Sequence, residues 1–198
     1  MMKELKLRNY INEISDFIHN YLKTHDSIVI AIDGKSGSGK TTLANYLKDN
    51  FDSNVIHTDD YFLPLNLRTK ERRNEIGGNI NYEKFKNDVI DHLKSDITIE
   101  AFNCKTLTFK EKIILKHKKI TIIEGSYALH PYFGKYYDYS IGIDIDSEKQ
   151  IERLKNREGI NLDNFINLWI PLENKYFDYF NIFSKVDLLI KTIIKYAI

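Results

Sequence analysis

The chain is poor in several things, and each shortage narrows what it can be. It has one cysteine, Cys104, so no internal disulfide can form, and a reducing compartment is the natural setting. Three prolines and nine glycines in 198 residues exclude a collagen-like or low-complexity chain. No apolar run approaches the length that crosses a bilayer. The opening segment MMKELKLRNYINEISDF lacks the uninterrupted apolar stretch of a secretory signal, so a cytoplasmic protein is expected, with no membrane partner. Charge of one sign is also missing. The formal net charge is +1, which gives no bulk attraction to nucleic acid. Cysteine and histidine never cluster at zinc-ligand spacing.

What is present is 42% hydrophobic and 29% charged, enough for one soluble domain with a buried core. One domain over residues 1–198 is expected, with a helix in 1–24, a hairpin insert in 97–115 and a short lid region in 147–165. Residues 3–23 set Leu7, Tyr10, Ile11, Ile14, Phe17, Ile18, Tyr21 and Leu22 at helical spacing. Four short apolar runs read as strands buried on both faces: SIVIAI (27–32), KITIIEG (119–125), YDYSIGIDI (137–145) and VDLLI (186–190). NVIH (54–57) is a further strand, and ITIEAF and LTFKEKIIL make the hairpin. Helices are predicted over 40–50, 82–94, 147–158 and 162–180, the last interrupted near Pro171. The alternation predicts an α/β fold with a mainly parallel sheet. The long segment 63–81 stays unassigned, and long ordered loops are often functional.

The first apolar run leads into DGKSGSGKTT. Gly34-Lys-Ser-Gly-Ser-Gly-Lys-Thr41 has both glycines, the lysine and the hydroxyl of a phosphate-binding P-loop, set between a strand and a helix. Glycines let successive backbone N–H groups face one phosphate chain, and the following helix aims its N-terminus at the same anion. Gly34, Ser36, Gly37, Ser38, Gly39, Lys40, Thr41 and Thr42 are therefore expected to hold ATP. Lys40 would bridge the β- and γ-phosphates, Thr41 would sit on Mg²⁺ and Thr42 near the α-phosphate. Lys35 reads as a solvated charge.

Carboxylates follow at two strand ends, where α/β sites collect. Asp59 and Asp60 follow NVIH. Adjacent residues on an extended chain point opposite ways, so one is expected to be catalytic and the other structural. Glu124 ends an otherwise apolar strand, where burial needs a partner, and Mg²⁺ would supply it. Arg153 and Arg157 lie four apart in the polar helix, so a shared face could close over a triphosphate. His57 reads as a buried, hydrogen-bonded histidine, His130 as part of a loop and Cys104 as a small apolar filler. The aromatic run from Trp169 to Phe183 reads as core, with a homo-oligomer interface on one face left open.

Together DGKSGSGKTT, HTDDYFLP, GGNINYEKF, IIEGSYALHPYFGKYYDYSIGIDID, ERLKNRE and WIPLENKYF resemble the uridine kinase family of P-loop kinases. Its wider group includes nicotinamide riboside kinase, pantothenate kinase and phosphoribulokinase. The resemblance covers residues 27–190. It implies a parallel five-stranded sheet flanked by helices and an ATP-dependent kinase for a small-molecule hydroxyl, most simply a nucleoside of the uridine or cytidine type. It assigns the catalytic base to Asp59, the Mg²⁺ glutamate to Glu124 and the lid arginines to Arg153 and Arg157. The chain departs from the family where an aspartate is replaced by Asn81, and where the base-reading hairpin becomes Phe102-Asn103-Cys104-Lys105-Thr106-Leu107-Thr108. Expected acceptor residues are Asp59, Tyr61, Arg68, Asn79, Asn81 and Tyr82. Arg72 and Arg73 add positive charge that would suit an anionic acceptor. Rival expectations are pantothenate, nicotinamide riboside or a sugar as acceptor, or a nucleotide-binding regulator without catalysis.

Overall fold

The computed structural model of the chain describes residues 2–103, 106–157 and 161–191, with residues 2–8 as backbone only. Cys104 and Lys105 lie outside the described residues. The N-terminal helix α1 (Met2–Tyr21) is followed by β1 (Ile28–Gly34), α2 (Lys40–Asn50) and β2 (Ser53–His57). Two short helices, α3 (Lys70–Asn74) and α4 (Tyr82–Asp88), precede a region of short strands: β3 (Ile97–Ile99), β4 (Phe102–Asn103), β5 (Thr108–Phe109) and β6 (Ile113–Leu115). Then come β7 (Ile120–Glu124), β8 (Tyr139–Asp144), α5 (Ser147–Lys155), α6 (Leu162–Asn164), α7 (Ile170–Tyr179) and β9 (Leu188–Lys191).

Five strands form one sheet in the order β2-β7-β1-β8-β9, and every neighbouring pair is parallel. The expected fold class is therefore the observed one. All five residues of β7 are buried, because helices cover both faces, so the strand reads as an unbroken apolar run. Alternate residues serve two cores. Ile28, Ile30, Ile32 and Ile122 pack with Ile14 and Ile18 of α1 and Leu43 and Leu47 of α2. Ile56 and Ile123 face the other way, toward Phe85 and Val89 of the α4 region and Tyr176 and Phe177 of α7.

The hairpin over 97–115 forms as two nested ladders, β3 with β6 and β4 with β5, both antiparallel. Segment 63–81 is ordered by a 3₁₀ turn at Leu65–Leu67 and by α3, whose N-cap Thr69 accepts from the Arg72 N–H. The polar helix ends at Lys155, earlier than its pattern predicts, so Arg157 lies beyond it and does not share a helical face with Arg153. Ahead of Pro171 the chain widens into a π-helical turn, Phe165–Trp169, which carries the helical run up to the proline. Among the described residues no helix is long and apolar enough to cross a membrane.

Candidate active site

In an open parallel sheet the ligand crevice lies beyond the C-terminal ends of the strands, where the strand order reverses. Here β1 is that point, with β7 on one side and β8 on the other. The P-loop leaves β1 and enters α2 through Gly39, whose φ of 109° is a left-handed conformation that a side chain would strain. The Lys40 ammonium folds back on the loop and donates to the Gly34 carbonyl at 2.8 Å and the Lys35 carbonyl at 3.1 Å. It is thus poised over the phosphate cradle. The Ser38 hydroxyl is buried and has no partner among the described residues. Thr41 and Thr42 are exposed at the first turn of α2. Lys35 is not a free solvated charge, for it pairs with Asp144 at 3.1 Å.

Two further elements hold the loop. From α5, Arg153 donates to the carbonyls of Gly37 at 3.0 Å and Ser38 at 3.2 Å, and Gln150 donates to that of Ser36 at 3.0 Å. From α7, the buried carboxylate of Glu173 accepts from the Ser36 N–H at 2.9 Å and from the Ser36 hydroxyl. It also accepts from the Ser126 hydroxyl at 2.8 Å. Sequence reasoning missed Glu173 and Ser126. Arg157 is exposed past the end of α5.

The end of β7 supplies Glu124, which is 4% exposed. Thr41 donates to it at 2.9 Å, and His57 Nδ1 lies 2.6 Å from the same oxygen. Burial works to raise the Glu124 carboxyl. The His57 and Thr41 hydrogen bonds, with the charges of Lys40 and His57, outweigh it and hold the group below its ordinary value. The same contact with Glu124 raises the His57 imidazole, against partial burial and with help from Asp60 and Asp59. His57 is hydrogen-bonded, as expected, to the site's own carboxylate, but it is only partly buried.

Asp59 and Asp60 sit in a 3₁₀ turn, Thr58–Tyr61, and not on extended chain. The turn sorts them all the same. Asp60 faces the hairpin and pairs with Lys110 at 3.4 Å. Asp59 lies within electrostatic reach of Lys40, Glu124, Glu173 and His57. Its side chain is exposed, while the protein packed around it raises its carboxyl by desolvation. Glu124 and Glu173 push the same way, and Lys40 and His57 oppose. The turn packs closely against β7. A side chain on Gly125, at φ 142°, would come within 2.0 Å of the Thr58 hydroxyl.

Of the other expected acceptor residues, several have structural work. Tyr61 is 1% exposed, packs edge-on against Phe85 and points its hydroxyl at Asp88. Asn81 caps α4, accepting from the Lys84 N–H at 3.2 Å. Tyr82 lies under the Arg72 guanidinium, 3.5 Å from the ring centre, and donates to Glu75. Arg72 also pairs with Glu83 at 2.7 Å and bonds the Gly78 and Ile80 carbonyls, so its charge is engaged within the loop. Arg68 donates to the Leu63 carbonyl at 2.7 Å. Asn79 differs, because its amide is buried beside the Tyr127 hydroxyl, on which it acts as a hydrogen-bonding neighbour.

These residues fit a bound nucleoside triphosphate. The P-loop presents a lysine, a buried unpartnered hydroxyl and a helix start to an anion. A magnesium ion would rest on Thr41 and Glu124 with phosphate oxygens and water completing its shell. Among the described residues no group of three or more His, Cys, Asp or Glu side chains could hold a metal by itself.

Residues 7–170 match the family described as the KAP family P-loop domain. The chain is 28% identical over 182 residues to a uridine kinase of Bacillus mycoides, covering 78% of this chain and 82% of that protein. It is 29% identical over 168 residues to a uridine kinase of Clostridium botulinum, covering 73% and 77%. In fold it is similar to a structure described as a possible uridine kinase from Bacillus stearothermophilus, with a TM-score of 0.69, 22% identity, and coverage of 93% of this chain and 99% of that one. The resemblance that the motifs carry is borne out by these likenesses: the chain belongs to the KAP family P-loop domain, and over most of its length it is uridine kinase-like.

Proposed function

We propose that this protein is an ATP-dependent kinase that transfers the γ-phosphoryl group to a hydroxyl of a small metabolite, with a nucleoside of the uridine or cytidine type as the leading acceptor. One observation carries the reading. Asp59 stands at the end of β2 within electrostatic reach of Lys40 and Glu124, and Thr41 and Glu124 share a hydrogen bond. A regulator that only bound nucleotide would have no need of Asp59.

Asp59 orients the acceptor hydroxyl and takes its proton. The freed oxygen bonds to the γ-phosphorus as the bond from that phosphorus to the β–γ bridging oxygen breaks, and ADP leaves with the electron pair. Lys40 and the loop N–H groups offset charge on the phosphates, and Arg153 holds the loop in shape by its carbonyls. Thr41 and Glu124 would hold a Mg²⁺ ion, which would supply further charge neutralisation.

The acceptor follows from a weaker set of residues. Asn81 serves as a helix cap, and the hairpin carries Asn103 where the family reads a base. A sugar or another small alcohol is therefore the second reading. ADP release with Mg-ATP should be measured against uridine, cytidine, nicotinamide riboside, pantothenate and several sugars. Asp59→Asn should lower acceptor-stimulated release by at least about 100-fold while the protein still binds ATP. Near-normal turnover in that variant would remove Asp59 from the role of base.

A further inference from the structure

The Lys40 ammonium has protons to donate and no lone pair with which to accept. Oxygens from two parts of the chain surround it. Two belong to its own loop, the Gly34 carbonyl at 2.8 Å and the Lys35 carbonyl at 3.1 Å. The third comes from outside the loop: the Ser126 hydroxyl, at 3.5 Å, on the segment that leaves β7. Lys40 and Ser126 are both buried, so little water competes for this contact.

What Ser126 offers Lys40 depends on where its own proton goes. Two acceptors lie within reach, the Glu173 carboxylate at 2.8 Å and the Gly34 carbonyl at 3.2 Å. The carboxylate is closer, and a hydrogen bond to a charged acceptor is roughly twice as strong as one to a neutral acceptor. The Gly34 carbonyl already accepts from Lys40. The proton therefore goes to Glu173, and the Ser126 lone pairs are left for the ammonium. Glu173 is itself buried and also accepts from the Ser36 N–H at 2.9 Å and from the Ser36 hydroxyl. These bonds leave the carboxylate little freedom to turn. One carboxylate on α7 thus fixes a residue of the phosphate loop and, through Ser126, the polarity of the group that faces its lysine.

We propose that Ser126 and Glu173 are positioning residues for Lys40, which hold its ammonium in place for the phosphates. A lysine side chain is long and rich in rotamers, and ordering it during binding costs affinity. Here that ordering is built into the fold, and Lys40 presents a charge already in place. Neither residue is assigned a contact with the phosphates, since Ser126 acts through Lys40 and Glu173 through Ser126 and Ser36. The inference rests on the kinase reading above and deepens it. Two substitutions reach the same contact by separate routes. Ser126→Ala removes the lone pairs outright. Glu173→Gln keeps the shape of the side chain but can turn an amide N–H toward Ser126. The Ser126 proton then goes to the Gly34 carbonyl, where it competes with Lys40.

The test uses the full chain labelled with ¹⁵N at the lysine ζ-nitrogen, with the ammonium signals followed by NMR. Lys40→Met assigns the Lys40 signal, which should shift in both Ser126→Ala and Glu173→Gln. The Kd of a non-hydrolysable ATP analogue with Mg²⁺, read by calorimetry, should rise about three- to tenfold in each variant. In a Lys40→Met background, Ser126→Ala should add nothing further, because its effect runs through the lysine. A Lys40 signal unmoved in both variants, an unchanged Kd, or a Ser126→Ala effect that persists without Lys40 would overturn the positioning role. If the Lys40 signal moves but the wild type does not bind the analogue, the contact stands and the kinase reading falls.

Discussion

Asp33 closes β1 just before the P-loop, and its carboxylate is fully buried. It accepts from the N–H groups of Gly34, Tyr127 and Leu129 and from the Tyr176 hydroxyl, at 2.7 to 3.1 Å. Burial raises the carboxyl, these donors and Lys40 lower it, and the balance lies at about 6, against 3.8 for an ordinary aspartate. Between those values the folded chain holds a proton that the unfolded chain has released. Asp33 therefore contributes stability at pH 4 that is lost as the pH rises to 6, and its contribution is constant above that. Urea unfolding of the wild type and Asp33→Asn should show their stability difference shrinking across this window by on the order of 2–3 kcal/mol. A difference that stays constant with pH would contradict the assignment. Residues of this kind were partly legible. Lys40 and Thr41 could be read because a phosphate cradle is local, eight residues in a fixed order. Asn81 could have been read as a cap, since asparagine ahead of a helix is a strong capping signal, but the family comparison drew it toward the acceptor.

At the level of elements, α7 is a core helix and a site helix at once. Tyr176 and Phe177 fill the core beneath the sheet, and one turn earlier Glu173 holds Ser36 and Ser126. Glu173→Ala would leave the Ser36 N–H and hydroxyl without their acceptor, at a cost of about 1–3 kcal/mol. Glu173→Gln keeps an oxygen there and should lose less than half as much. Chemical denaturation of the two variants checks the order. The helix itself was visible in the sequence, from its aromatic spacing. Its task was not, because Ser36 and Glu173 are 137 residues apart and no short pattern links them. The end of α5 was misjudged for a local reason. The polar run continues past Lys155, but Asn156 turns the chain, so Arg157 does not line up with Arg153.

For the whole molecule, the N-terminal helix is part of the core and not an appendage. Ile14 and Ile18 are fully buried against β1, β7 and β8. Phe17 stacks on Tyr139 at 4.1 Å, and the Tyr21 hydroxyl donates to Asp138 at 2.7 Å. Asp138 in turn accepts from the Val29 N–H, which ties helix to sheet. Ile14→Ala should cost about 2–4 kcal/mol, read as a lower urea midpoint with an unchanged slope. The parallel sheet could be foreseen from four apolar runs, since strands buried on both faces need no alternation. The strand order could not, because it is set by which helices pack between strands far apart in the chain.

The reach of α7 to the P-loop also has a meaning in time. A chain is made from its N-terminus at roughly 5–20 residues per second. The phosphate loop emerges early, but the carboxylate that fastens Ser36 comes 137 residues later, on the order of ten seconds afterwards. Within that interval β7 and β8 are made first, and the helix that secures the loop follows them. The phosphate loop of a nascent chain therefore gains its sheet neighbours before it gains the carboxylate that fastens it.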